Sequence, residues 1–166
     1  MTVLNPPATP ATTSRSSSPT SPRSPRPAEP LSSEATAWSA ARFFDLLQEL
    51  GKLRVISICG PSVFESICVA GPYEIADGFL NMITDAFHWH VATPRLRHLQ
   101  SHDTTHGRSG RNVLFFELRE SEDASPFLRI YVYRAPGAEF APEVVRAFHR
   151  AHAELAQGVV LAQGEE

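Results

Sequence analysis

Imidazole is the chemically versatile group in this chain, and its seven histidines are unevenly placed. His88 and His90 stand two apart in the run Phe87-His88-Trp89-His90-Val91. On a β-strand that spacing projects both rings from one face and turns Phe87, Trp89 and Val91 to the other. His98 and His102 share a face of the following run by the same parity, so pairing of the two runs would crowd four imidazoles into one patch. Neutral imidazole suits zinc, copper, nickel and haem iron alike, and the pattern therefore points to a metal centre without selecting the metal. Taken singly, His98, His102, His106, His149 and His152 read as exposed or partly buried polar side chains.

Other chemistries find less support. A structural zinc site wants four ligands at a recognisable spacing, and the two cysteines, Cys59 and Cys68, do not complete one. They are expected on neighbouring strands of a hairpin, where distance does not forbid a disulfide, but a reducing compartment favours two free thiols. No Gly-x-Ser-x-Gly elbow is present, and Gly107, Ser109 and Gly110 lie in a polar loop with no helix after it. Hydrolase and nucleotide-binding readings lose ground accordingly.

The elements that must carry these residues follow from composition and periodicity. With 166 residues, the chain can bury one core with a tail to spare. A formal charge of −3 argues against nucleic acid or an anionic membrane as partner. Apolar runs such as Val55 to Cys59 and Val113 to Phe116 are far shorter than the roughly 20 residues that a membrane helix needs. The first 30 residues hold Pro, Ser, Thr and Arg in place of a secretory leader, so the expected location is the cytoplasm.

Residues 1–33 carry eight of the 14 prolines and, from Thr12 to Pro30, no large apolar side chain; they are expected to form a disordered tail. A domain is expected over 34–158, and a C-terminal tail over 159–166. Within the domain, Trp38, Phe43, Phe44, Leu47 and Leu50 recur at helical spacing, with Ser33 as N-cap and Gly51 as terminator. Leu53–Cys59 and Ser62–Val69 flank Gly60-Pro61 as a hairpin. Short strands are predicted over 78–83, 87–92 and 96–102, then a loop over 103–111 and a strand pair at 112–118 and 127–134. A closing helix starts at Pro142 and buries Val144, Val145, Phe148, Ala151, His152 and Leu155. Helix, many antiparallel strands and helix make an α+β fold.

Several segments in this order resemble the HemS/ChuX/HutX haem-utilisation family: LLQELGKLRVIS leading to GPSVFE, then GFLNMITDAFHWHVATPRLR, NVLFFEL, FLRIYVYRAPG and VVRAFHRAHAEL. The resemblance covers Leu46 to Leu155. It implies stacked antiparallel β-sheet with flanking helices and a cytoplasmic protein that binds or traffics haem. Some members carry two copies of the fold in one chain, so a single-copy chain implies a homodimer.

By the resemblance, His90 is the iron ligand of a bound haem b, His88 is its helper or substitute, and Arg95 and Arg134 meet the propionates. An arginine fork suits a carboxylate, as imidazole suits the iron. Phe115, Ile130 and Val132 would wall the pocket, although plain sheet core explains them as well. Two family histidines are missing, one near Val69 before Gly71-Pro72 and one near Ile58, and Gln100, Ser101 and His102 replace a basic stretch. The readings that stay open beside haem carriage are a haem-degrading enzyme using the same pocket and a non-haem module, either a His-rich metal site or a scaffold.

Overall fold

The computed structural model describes residues 37–85 and 87–163. The expected tail and the expected N-cap Ser33 lie outside the described residues. Helix α1 spans Ala40–Leu50 and is capped by Ser39, whose hydroxyl accepts the Arg42 N–H. It buries Phe43, Phe44, Leu46, Leu47 and Leu50, and Gly51 ends it in the left-handed region at φ 72°. The hairpin follows as β1 (Lys52–Cys59) and β2 (Ser62–Val69), in register from Lys52 opposite Val69 to Cys59 opposite Ser62. Both cysteines are free, and they sit at opposite ends of the hairpin. Burial pushes the Cys68 thiol above its ordinary pKa.

Next come β3 (Tyr73–Ala76), β4 (Phe79–Ile83) and β5 (His88–Ala92), then a 3-10 turn over Thr93–Arg95. The chain continues through β6 (His98–Thr105), β7 (Asn112–Arg119), β8 (Leu128–Val132), α2 (Pro142–Leu155) and β9 (Val159–Val160). Among the described residues these form two antiparallel sheets, one of six strands in the order β2-β1-β8-β7-β6-β9 and one of three in the order β3-β4-β5. The fold is α+β.

One face of the larger sheet meets the helices. Leu53, Val55, Phe116, Leu118 and Ile130 are buried there, and the Phe116 ring lies 5.3 Å from Phe43 of α1 and 5.1 Å from Phe148 of α2. Each such aromatic, fully removed from water, contributes about 2–3 kcal/mol. The smaller sheet presses Leu80, Met82, Trp89 and Val91 inward, and Phe44 reaches Trp89 at 5.2 Å. Tyr73 fastens this sheet to α1. Its one hydroxyl proton is shared between two acceptors, Asp45 Oδ1 (2.8 Å) and the Ala41 carbonyl (3.0 Å), and burial together with Asp45 pushes its pKa up to about 12.

Four expectations change. β3 is an additional strand, closed onto β4 by Asp77 and Gly78, both at positive φ (53° and 73°). β5 and β6 belong to different sheets, because Pro94 and the 3-10 turn break the chain between them. β6 runs on to Thr105, which shortens the expected loop. Residues 159–162 are no tail: β9 pairs with β6, and Ala162 N donates to the Trp38 carbonyl at 2.8 Å.

Gly158 makes this last return. It lies at φ 78°, and a Cβ there would stand 2.5 Å from the buried His98 ring. Gly158→Ala is expected to cost about 2 kcal/mol of unfolding free energy in a urea titration. Gly107→Ala, where φ is not positive and nothing lies within 4 Å, should change it by less than about 0.5 kcal/mol.

Candidate functional site

A cavity of roughly 440 Å³ opens where the end of β1 and the start of β8 face the smaller sheet. Ser57, Ile58, Cys59 and Leu128 come from the larger sheet, Phe127 from the turn just before β8, and Phe79, Trp89, His90, Val91 and Ala92 from the smaller sheet. Arg95 and Glu120 complete the lining. A mostly apolar wall with a few placed polar groups is the usual form of a cofactor site, and the volume lies in the usual range of about 300–1,000 Å³. A larger cavity of roughly 650 Å³ beside the start of α1 has Asp77 as its one ionisable side chain and no imidazole.

His90 is exposed on β5 directly opposite Asn81 of β4. The Asn81 amide nitrogen donates to the carbonyls of Phe79 (3.2 Å) and Ala76 (3.5 Å), which turns its oxygen toward the imidazole. That oxygen lies 2.7 Å from His90 Nδ1 and must accept, so Nδ1 carries the proton. In the neutral ring Nε2 then keeps its lone pair, as a metal-binding imidazole requires. A hydrogen bond to the far nitrogen is the usual support of such a ligand. Asn81 was not singled out in the sequence; the visible signal was a polar residue inside the apolar strand Phe-Leu-Asn-Met-Ile.

Of the other candidates, Arg95 lines the same cavity and pairs with Glu120. His88 stands on the same strand face as His90, with ring centroids 6.3 Å apart, but is not part of the lining. Arg134 lies beyond the far end of β8, roughly 20 Å along the strand from Leu128. There it stacks over Phe140 at 4.5 Å and donates to the Asn112 carbonyl. The structure therefore brings His90 and Arg95 together and leaves Arg134 apart. Phe115, Ile130 and Val132 do not wall this cavity; Ile130 and Val132 are core, and Phe115 stacks between His102 and Tyr131. The four-imidazole patch does not form either. His98 and His102 are on β6, in the other sheet, and the described residues contain no group of three or more His, Cys, Asp or Glu placed to hold a metal ion.

No family profile matches the sequence, and no curated protein matches it. Solved structures do match the fold. The haem-binding protein ChuX superposes with a TM-score of 0.60 at 16% identity, over 69% of this chain and 71% of that one. The haem-degrading enzyme ChuS of Escherichia coli O157:H7 gives 0.54 at 18% identity, over 70% of this chain and 33% of its own. Holo-PhuS, a haem-binding protein from Pseudomonas aeruginosa, gives 0.54 at 17%, over 64% and 30%. The fold is that of ChuX. The resemblance read from the sequence is thus met at the level of architecture, and this ChuX-like fold spans about a third of ChuS and of PhuS.

The sheet face of the ChuX-like fold that points away from the helices carries a second polar cluster. Glu117 is buried there, 2.5 Å from Arg119, 2.8 Å from Arg129 and 3.5 Å from His102. Burial pushes its pKa up, but hydrogen bonds from the two arginines outweigh that and hold it below the ordinary value. His102 is also depressed: burial disfavours its charged form, and the arginines oppose the pull of Glu117. A histidine with a lowered folded pKa contributes stability that is present above its ordinary value of 6.5 and lost as pH falls below it. Glu117 gives the same sign, at pH below its ordinary 4.5. Unfolding free energy is therefore expected to drop between pH 7.5 and 5.5, and His102→Gln should flatten that stretch while leaving the fall below pH 4.5. A profile unchanged by His102→Gln would show that this imidazole is not the titrating group.

Proposed function

We propose that this protein binds and carries haem b in the cytoplasm, as a homodimer, with His90 as the iron ligand. The observation that carries the reading is the Asn81 contact, which leaves His90 Nε2 basic at the wall of an apolar cavity. The lining fits a porphyrin: Ile58, Phe79, Trp89, Val91 and Leu128 offer apolar and aromatic surface, and Arg95 offers a guanidinium for a carboxylate. The ChuX-like fold, shared with proteins named for haem binding, points the same way. Haem supplies the iron and the propionates; the chain supplies one imidazole of fixed tautomer, a dry wall and one cation. His88, 6.3 Å away by ring centroid, is the substitute imidazole at the cavity's edge. Among the described residues no helix is long and apolar enough to cross a membrane.

Haemin titration followed by absorbance tests this. A saturable one-to-one Soret shift is expected, abolished or strongly displaced in His90→Ala. Asn81→Ala should weaken binding by about 10–100-fold through loss of the tautomer constraint. Arg134→Ala should leave affinity unchanged, since that side chain is at the other end of β8. A Soret band that persists under ascorbate marks a carrier; its loss with bilin formation would replace carriage by degradation. A featureless titration of the unaltered protein would end the haem reading.

A further inference from the structure

We infer that the free edge of β2 is where two copies of this chain join, antiparallel about a two-fold axis at Ser66, so that the two six-stranded sheets continue as one. This rests on the homodimer reading above and adds the surface and its register. The strand order places β2 at one edge of the sheet and the two-residue β9 at the other. Among the described residues, β2 is paired over its eight residues to β1 alone. Its outward backbone donors and acceptors are a template for a further strand.

Edges left free in solution are ordinarily blunted by lysine, proline, bulges or shortness. Ser62–Val69 has neither lysine nor proline and pairs with β1 residue for residue, without a bulge. Its one charge is Glu65, answered by Arg54 at 3.4 Å within the same chain. Four large apolar side chains stand exposed on it, Val63 (64%), Phe64 (69%), Ile67 (46%) and Val69 (58%). The edges of the smaller sheet, β3 and β5, are shorter, at four and five residues, and carry Glu74 on one and His88 and His90 on the other.

The occupant is selected by self-complementarity. In an antiparallel pair, opposed side chains share a face, so a continuous sheet requires the two-fold axis to pass through a residue rather than between two. An axis at Glu65 sets two carboxylates against each other, which is destabilising. Axes at Phe64 or Ile67 leave only five strand residues overlapping. An axis at Ser66 overlaps Val63–Val69 and sets Val63 on Val69, Phe64 on Cys68 and Glu65 on Ile67, with no like charges opposed. The second copy thus meets each apolar residue of the outer row with another residue of that row, and Glu65 falls beside Ile67.

Two sets of variants of the full chain test this by light scattering and non-reducing electrophoresis. Ser66→Cys, in a Cys59→Ser background that removes the exposed native thiol, should yield a covalent dimer on mild oxidation. The Cα separation at the axis would be about 4.5–5.5 Å, inside disulfide range. Val63→Lys with Val69→Lys should raise the dimer dissociation constant at least ~10-fold, whereas Val63→Lys with Val69→Glu should restore it. A dimer that neither crosslinks at 66 nor responds to the lysine pair would overturn this surface and leave the homodimer standing. Equal weakening by the Lys/Lys and Lys/Glu pairs would overturn the register. A protein that is monomeric at every concentration would remove both the surface and the homodimer, and the haemin titration remains an independent measure of the haem reading.

Discussion

Two adjacent phenylalanines hold the molecule together. Successive residues on a helix point about 100° apart, so Phe43 and Phe44 leave α1 toward different neighbours. Phe43 meets Phe116 in the larger sheet at 5.3 Å, while Phe44 meets Trp89 at 5.2 Å and Tyr73 at 5.7 Å in the smaller. Among the described residues the two sheets share no ladder, so α1, with a residue packed against each, is one of the elements that join them. The cavity draws its two walls from these two sheets, so packing that fixes one sheet against the other also sets His90 relative to Ile58 and Leu128. Both rings are fully buried. Truncating either would remove about 3–5 kcal/mol, enough to consume much of a small domain's stability.

What was legible in the sequence was local. Gly60-Pro61 between two alternating runs gave the β1–β2 hairpin to within a residue, and Pro142 marked the first turn of α2. Both signals act within a few bonds of the residue that carries them. Sheet partnership is not local. The runs holding His90 and His98 are close neighbours in sequence, yet the proline-containing turn between them sends one to each sheet. Parity along a strand named the face of each histidine correctly and said nothing of which strand lay beside it. β9 was missed for a similar reason: two valines after a helix have no period to read, and their order comes from β6 and the Trp38 carbonyl.

The site shows the same division. That His90 projects from a strand face was readable from spacing, and the resemblance gave it a role. Its tautomer was not readable, because it depends on Asn81, nine residues away and brought opposite by the β4–β5 register. Arg134 shows how linear order misleads: it follows a strand whose beginning lines the cavity, and a five-residue strand is long enough to carry its far end out of reach. Arg95 stays near because the 3-10 turn starts where β5 ends, at the cavity's own wall.

The ion pair at the cavity then limits where binding energy can come from. Arg95 is paired with Glu120, and both side chains are largely exposed. An incoming carboxylate would exchange one anionic partner of Arg95 for another, and exposed pairs of this kind are worth only about 0–1 kcal/mol. On the proposed reading, Arg95 would therefore orient a ligand more than it retains one. On the same reading, retention would fall to the apolar walls, at roughly 25 cal/mol for each Å² removed from water, and to the Nε2 lone pair of His90. A site so divided would, as proposed, hold its ligand by area and one directed bond, with the charge at its rim free to change partners.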